Sequence, residues 1–236
     1  MNQHGFFITG TDTGVGKTEI TAAIASLYAA RGVTVHPRKP VESGCERDSH
    51  GEELFPEDAA TLQIASGTTD SLAKICPYRF SQPISPERAA AISGTTLTLQ
   101  MVTEACQLPT VDGEEELLLV EGAGGFYSPI AEQALNADLA NALNLQLILV
   151  VEDRLGAVNQ LLTARHAILD RGLEISLIIL NRHSNSEMNN LDSISARVDE
   201  MVIPVTAHGG NEPWREITKE LAELPLPDPF RFSGSA

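Results

Sequence analysis

Cysteine is scarce in this sequence: Cys45, Cys76 and Cys106 are the full set. They are odd in number and widely separated, with no C-x-x-C pair and no nearby pair of histidines, which argues against a disulfide framework and against a structural zinc site. Free thiols in a reducing compartment are expected. Positive charge is scarce as well. Sixteen Lys and Arg stand against 32 Asp and Glu, for a formal charge of −16, and long-range repulsion disfavours nucleic acid or an anionic membrane as a partner. Long apolar runs are missing too. The longest, such as 147–151, fall far short of a membrane span, and no basic segment followed by an apolar one precedes Phe6. A cytoplasmic protein acting on a small molecule fits all three absences.

What is present begins at residues 6–18, FFITGTDTGVGKT. Phe6, Phe7 and Ile8 make a short apolar run, a turn rich in Gly and Thr follows, and a helix-like sequence starts at Gly16-Lys17-Thr18. The pattern reads as strand, phosphate loop and helix. Loop N–H groups and the helix N-terminus offer positive potential to an anion, Lys17 adds a mobile full charge, and the Thr18 hydroxyl can ligate Mg²⁺. The common pattern G-x-x-x-x-G-K-[ST] would place its first glycine where this chain has Thr11. The nearest is Gly10, so the loop is one residue longer. ATPases of the cell-division and plasmid-partition group carry a lysine where this chain has Asp12, which disfavours that subgroup.

The 236 residues suffice for one α/β domain with an ample core. Helical spacing over 18–30 ends at Arg31-Gly32, and 33–41 reads as a second strand running into Arg38-Lys39-Pro40-Val41-Glu42-Ser43-Gly44. Ligands of open α/β sheets gather at such strand ends. Residues 45–56 read as a polar, mobile loop and 57–66 as a helix with Asp58 in its first turn, where an acid most often caps or meets the dipole. Residues 75–86 carry three prolines and read as an extended loop; helices over 87–93 and 98–107 and an acidic turn over 110–116 follow. Leu117 to Val120 has the character of a buried parallel strand and leads into Glu121-Gly122-Ala123-Gly124-Gly125, the layout of the acidic site of phosphate-loop enzymes. Strands over 146–151, 175–180 and 202–203 alternate with helices over 156–170, 187–201 and 212–221, and 225–236 reads as a loose tail. The alternation predicts a doubly wound, mainly parallel sheet of phosphate-loop NTPase type, in three layers α/β/α.

The ordered set of motifs resembles the dethiobiotin synthetase family. Its carriers are 10–18 with the unusual loop length, 39–44 (KPVESG), 76–80 (CPYRF) with Ser85-Pro86, 120–125 (VEGAGG), 155–159 (LGAVN) and Asn181. Gly14 departs from the acidic or polar residue of many relatives, and Glu87 stands where a histidine is expected. The resemblance implies closure of a cyclic urea from diaminopelargonic acid and CO2 with ATP and Mg²⁺. Lys17 would bridge the β/γ-phosphates and a carbamate, and Lys39 would approach the γ-phosphate. Thr18, Asp58 and Glu121 would surround Mg²⁺, and Thr13 and Ser43 would hydrogen-bond the carbamate or the phosphoryl oxygens. Further nucleotide contacts would come from Gly14, Val15, Gly16, Glu19, Gly122, Ala123 and Gly124, with Asn181, Arg182, Pro204 and Val205 around adenine. The implied assembly is a homodimer in which the substrate carboxylate meets the partner's helix start at Gly156, Ala157, Val158 and Asn159. Two other readings share the loop: a partitioning ATPase used as a switch, and a glutamine-dependent amidoligase, for whose glutaminase domain the chain has no room.

Overall fold

The computed structural model describes residues 4–48, 51, 53–108, 116–182, 189–206 and 208–230. Its main sheet is six-stranded and parallel throughout, in the order β12-β11-β10-β1-β7-β2. These strands are β1 (Gly5–Gly10), β2 (Thr34–Arg38), β7 (Glu116–Gly125), β10 (Gln146–Glu152), β11 (Ile175–Asn181) and β12 (Val202–Val205). Both faces are covered, which is why the strands are continuous apolar runs. Phe6, Ile8, Leu117, Leu119, Ile148 and Val150 pack on one side against α1 (Lys17–Ala30), α2 (Glu57–Ser66) and α9 (Trp214–Ala222). Phe7, Leu118, Val120, Leu147 and Leu149 face the other side, which is covered by α4 (Pro86–Ile92), α5 (Leu99–Ala105), α6 (Asn136–Leu143), α7 (Ala157–Asp170) and α8 (Leu191–Ser195). The expected three-layer fold is the one observed. Among the described residues no helix is long and apolar enough to cross a membrane.

Several elements differ from the sequence reading, each for a local reason. The strand expected over 33–41 is two strands, because Pro40 lacks an N–H and Lys39 N donates to Ile75 O instead of a neighbouring strand. Its second half, β3 (Val41–Ser43), pairs in parallel with β6 (Tyr78–Phe80), inside the stretch read as an extended loop, just after the short α3 (Leu72–Ile75). Within 45–56, β4 (Glu46–Arg47) and β5 (Leu54–Phe55) form a small antiparallel pair. Residues 126–145, left without elements by the sequence, hold β8 (Pro129–Ala131), β9 (Ala134–Leu135) and α6.

The helix expected over 187–201 shrinks to Leu191–Ser195, since its serine- and asparagine-rich sequence favours caps and turns; 187–188 lie outside the described residues. So do 110–115 of the acidic turn, while Glu116 opens β7. The described part of the tail, 225–230, is tied down rather than loose: the Tyr28 hydroxyl donates to Pro227 O at 3.0 Å and Gln146 Nε2 to Asp228 O at 2.9 Å.

Candidate active site

The carboxyl ends of the parallel strands meet at one edge of the sheet and line a cavity of about 720 Å³. Twelve of the expected residues are in its wall: Thr13, Gly14, Gly16, Lys17, Thr18, Glu19, Lys39, Ser43, Asp58, Glu121, Ala123 and Gly124. They arrive from the loop after β1 and the first turn of α1, the β2–β3 turn, the end of β3, the first turn of α2 and the end of β7. The loop takes its shape from glycine. Gly16 has φ +86°, and a Cβ there would sit 2.1 Å from Asn181 Nδ2. Gly14, at φ +77°, faces open space. Lys17 Nζ folds back over the loop and donates to Asp12 O at 2.9 Å. Burial and the neighbouring Lys39 charge push it down to about 8, against the pull of Glu121, Asp58 and Asp12.

Lys39 is the hub. Buried to 4% exposure, its ammonium bonds Glu121 Oε1 and, at 2.8 Å, Asp58 Oδ2. Burial alone would lower its pKa, but the two carboxylates raise it, so it stays charged. Burial pushes Glu121 up and Lys39 opposes that push; for Asp58 the Lys39 contact overcomes burial and the carboxyl is lowered. The Thr18 hydroxyl donates to Glu121 Oε1 at 3.0 Å, while Glu121 Oε2 is buried with no hydrogen-bond partner. A hydroxyl and two carboxylates, one of them with an unpartnered oxygen, form a hard-oxygen donor set that suits Mg²⁺. The expected ligands therefore fit the ion. No group of three or more His, Cys, Asp or Glu able to hold a metal occurs among the described residues, so the hydroxyl is needed to complete this set.

Other expected residues lie elsewhere. Asn181 is 1% exposed and Nδ2 donates to Val15 O at 3.0 Å, so its amide clamps the phosphate loop from beneath. Val15 is itself buried. Arg182 pairs with Asp153 at 3.2 Å and its N–H donates to Val205 O at 2.9 Å; Pro204 and Val205 stay in the strand β12. Gly122 is closed off by Asn136, whose Oδ1 would lie 2.7 Å from a Cβ there. The α7 start, Gly156 to Asn159, does not line this cavity.

Sequence reasoning missed part of the wall. Asn211, Pro213 and Trp214 close one side, and Pro83, Ile84, Ser128 and Pro129 another. The solitary tryptophan beside a proline was a usable signal. Ser128 had none, because it is placed by Asn136: the buried Asn136 Nδ2 donates to Ala123 O, Gly125 O and Ser128 O, and Gly125 N donates to Ser128 Oγ at 2.9 Å. Glu42 lies inside a motif yet carried no role; its Oε1 and Oε2 accept from Asp58 N at 3.1 Å and Ala59 N at 3.2 Å.

A glycine-shaped loop with its lysine between a parallel strand and a helix defines a phosphate-loop α/β nucleotide-binding protein. The MinC:MinD cell division complex of Aquifex aeolicus shows the same fold at 12% identity, with a TM-score of 0.50, over 95% of this chain and 98% of that one. A family model described as an AAA domain matches residues 4–219. The ATP-dependent dethiobiotin synthetase BioD of Ruthia magnifica is 38% identical over 83% of this chain and 87% of its own length. That of Xanthomonas oryzae pv. oryzae is 36% identical over 94% and 96%. The chain belongs to the ATP-dependent dethiobiotin synthetase family. The family expected from the motifs, and the class of ATP-dependent ligase that goes with it, are those of these relatives.

Proposed function

We propose that the protein closes the cyclic urea of dethiobiotin from diaminopelargonic acid (7,8-diaminononanoate), CO2 and ATP. One amine adds to CO2 and loses a proton, giving a carbamate. A carbamate oxygen attacks the γ-phosphorus and ADP leaves, forming a carbamic-phosphoric anhydride. The second amine then attacks the carbonyl carbon, expelling phosphate and closing the ring.

No protein nucleophile takes part, and none of the three cysteines lines the cavity. Burial pushes the Cys45 thiol up to about 11 and the Cys106 thiol up to about 12, so neither is a thiolate at neutral pH. The work is positioning and electrostatic stabilisation of anions. The observation that carries this reading is the convergence of Lys17 and Lys39 on one cavity whose wall continues through Ser43 and Ser128. Lys17 lies along the loop where the β/γ-phosphates would be cradled, and Lys39 would approach the γ-phosphate from the β2–β3 turn. Thr13 and Ser43 offer hydroxyls to the carbamate, and Thr18, Asp58 and Glu121 would hold Mg²⁺. When bound, that ion neutralises phosphate charge. Asn181 would serve the nucleotide by fixing Val15 and the loop, and Asn211, Pro213 and Trp214 share the cavity wall with Gly16 and Glu19.

A homodimer is part of the reading. Ala157 N donates to Arg154 O at 3.0 Å, and beyond it the first turn of α7, which follows the Gly156 N-cap at φ +90°, has no side-chain cap, a place for a carboxylate. Since that start is outside this chain's own cavity, the substrate carboxylate would meet the partner's. Buried free thiols fit a reducing compartment, and the cytoplasm is the proposed location. The test is a coupled assay of ADP release with and without diaminopelargonic acid and bicarbonate. Release should require both. ADP formation indifferent to the diamine would overturn the proposal and favour a nucleotide switch.

A further inference from the structure

Helix α2 carries Asp58 into the cavity but has no cap of its own. Pro56 occupies its N-cap position and offers no side-chain acceptor, so the N–H groups of the first turn need a partner from elsewhere. That partner is Glu42 of β3. One carboxylate oxygen accepts from Asp58 N at 3.1 Å and the other from Ala59 N at 3.2 Å. These are the second and third helical residues, the pair that an N-cap side chain would normally serve. A carboxylate at a helix N-terminus is also favoured by the helix dipole.

Glu42 is itself held. Its strand pairs with β6, with Glu42 opposite Arg79, and its side chain is enclosed at 7% exposure in the cavity wall. Each of its oxygens is engaged by one N–H of α2. What it does is tether: β3 is fastened to α2, α2 aims Asp58, and Asp58 meets Lys39 at 2.8 Å, which in turn bonds Glu121. The Asp58 side chain is 38% exposed and is met by Lys39 and the Thr18 hydroxyl, so its reach to them depends on where α2 holds its backbone.

We propose that Glu42 is a positioning residue that sets the aim of Asp58 and, through it, the affinity of this cavity for the Mg²⁺ form of the nucleotide. The inference rests on the assignment of Asp58 as a metal ligand and goes beyond it. Loss of a group that orients a metal ligand typically lowers metal affinity by roughly 10–100-fold.

The test is calorimetric titration of the intact protein with an ATP analogue whose β–γ bridging oxygen is replaced by NH, once with Mg²⁺ and once in EDTA. The readout is the ratio of the two affinities. The Mg²⁺ form of the ligand carries less negative charge than the free form, so removing the Glu42 charge by itself lowers the ratio; Glu42→Gln removes the same charge and is the reference against which Glu42→Ala is read. Glu42→Ala should lower the ratio by about tenfold or more, and Glu42→Gln, which keeps one acceptor, should lower it less. Adding Pro56→Ser to Glu42→Ala gives α2 a local cap; the melting temperature should recover while the ratio stays low, because the tether to β3 is still missing.

A ratio in Glu42→Ala no lower than in Glu42→Gln, or its recovery to the Glu42→Gln level by Pro56→Ser, would overturn the proposal, the second result reducing Glu42 to a helix cap. Asp58→Asn separates the two levels. If it collapses the ratio while Glu42→Ala does not, only the positioning role falls. If Asp58→Asn leaves the ratio intact, the metal assignment falls and takes this inference with it.

Discussion

At the scale of single residues, Lys39 shows how a group proposed for catalysis can also support the fold. Read from sequence, a lysine at a strand end before proline would be a surface residue, removable within ~0.5 kcal/mol, or a catalytic one with the same tolerance in stability. The structure changes the second half of that expectation. Lys39 and Glu121 are 5% and 0% exposed, and taking one partner from a buried ion pair costs about 3–5 kcal/mol because the other charge is left enclosed. Lys39→Gln is therefore expected to lower the denaturant midpoint as well as turnover, the latter by roughly 10²–10³. Denaturation alongside steady-state kinetics checks both, and an unaltered midpoint would show that Glu121 is not held by this contact. The loop glycines give a sharper contrast. Gly14→Ala meets open space at φ +77° and should cost only backbone strain, about 1–2 kcal/mol. Gly16→Ala meets Asn181 Nδ2 at 2.1 Å, so it must also break the Asn181–Val15 bond. Calorimetry should find nucleotide binding lost in Gly16→Ala and kept in Gly14→Ala; equal effects would sink the clamp assigned to Asn181. The loop was legible because its residues are consecutive. The clamp was not, because its partner lies 166 residues away.

At the scale of elements, the edge strand β2 is pinned by a charge cluster that periodicity could not reveal. Arg38 is fully buried, and its Nε and Nη2 lack hydrogen-bond partners. Asp70 meets its Nη1 at 2.8 Å and Lys74 Nζ at 2.7 Å, with His36 Nδ1 3.6 Å away. Burial pushes the Asp70 carboxyl up, but the Lys74 and Arg38 hydrogen bonds outweigh it and hold the group down at about 2. A folded pKa below the unfolded value of about 3.9 means that ionised Asp70 stabilises the fold above pH ~4, and that this contribution fades as pH falls toward 2. Asp70→Asn should thus lose about 2 kcal/mol at pH 7 and converge on the wild type near pH 2, as measured by urea denaturation at both. A gap of equal size at the two pH values would mean that the ion pairs are not its source. The main strands and the helices α1, α2 and α9 were legible, since continuous apolar runs and helical spacing are local signals. The pairing of β3 with β6, the β8–β9 pair and α6 were not. They are short and lie among prolines and polar residues, and what defines them is contact with distant partners such as Glu42 and Asn136.

At the scale of the whole molecule, the charge of −16 and the place of α7 have to be reconciled with a substrate that carries a carboxylate. Long-range repulsion would keep such a ligand away, so attraction has to be local and short-ranged. Within one chain the positive side chains of the cavity wall, Lys17 and Lys39, are the ones assigned to the phosphates in the proposed reading, and the start of α7, which has no side-chain cap, lies outside that cavity. In the proposed reading a second copy brings the two together. Leu155, immediately before this start, is 83% exposed, an apolar side chain where the proposed interface would pass. Leu155→Asp adds like charges on both sides of the two-fold and removes apolar area, so it should shift the protein toward monomer in sedimentation velocity. The monomer should keep its affinity for ATP, because the nucleotide end is built within one chain. It should lose the carboxylate contact at the helix start, worth about 1–2 kcal/mol, which raises KM for the diamine by roughly 5–30-fold. The two halves of this prediction are separable: nucleotide affinity by calorimetry, diamine KM by steady-state assay. A monomeric variant with an unchanged KM for diaminopelargonic acid would show that the α7 start of the partner takes no part in the site.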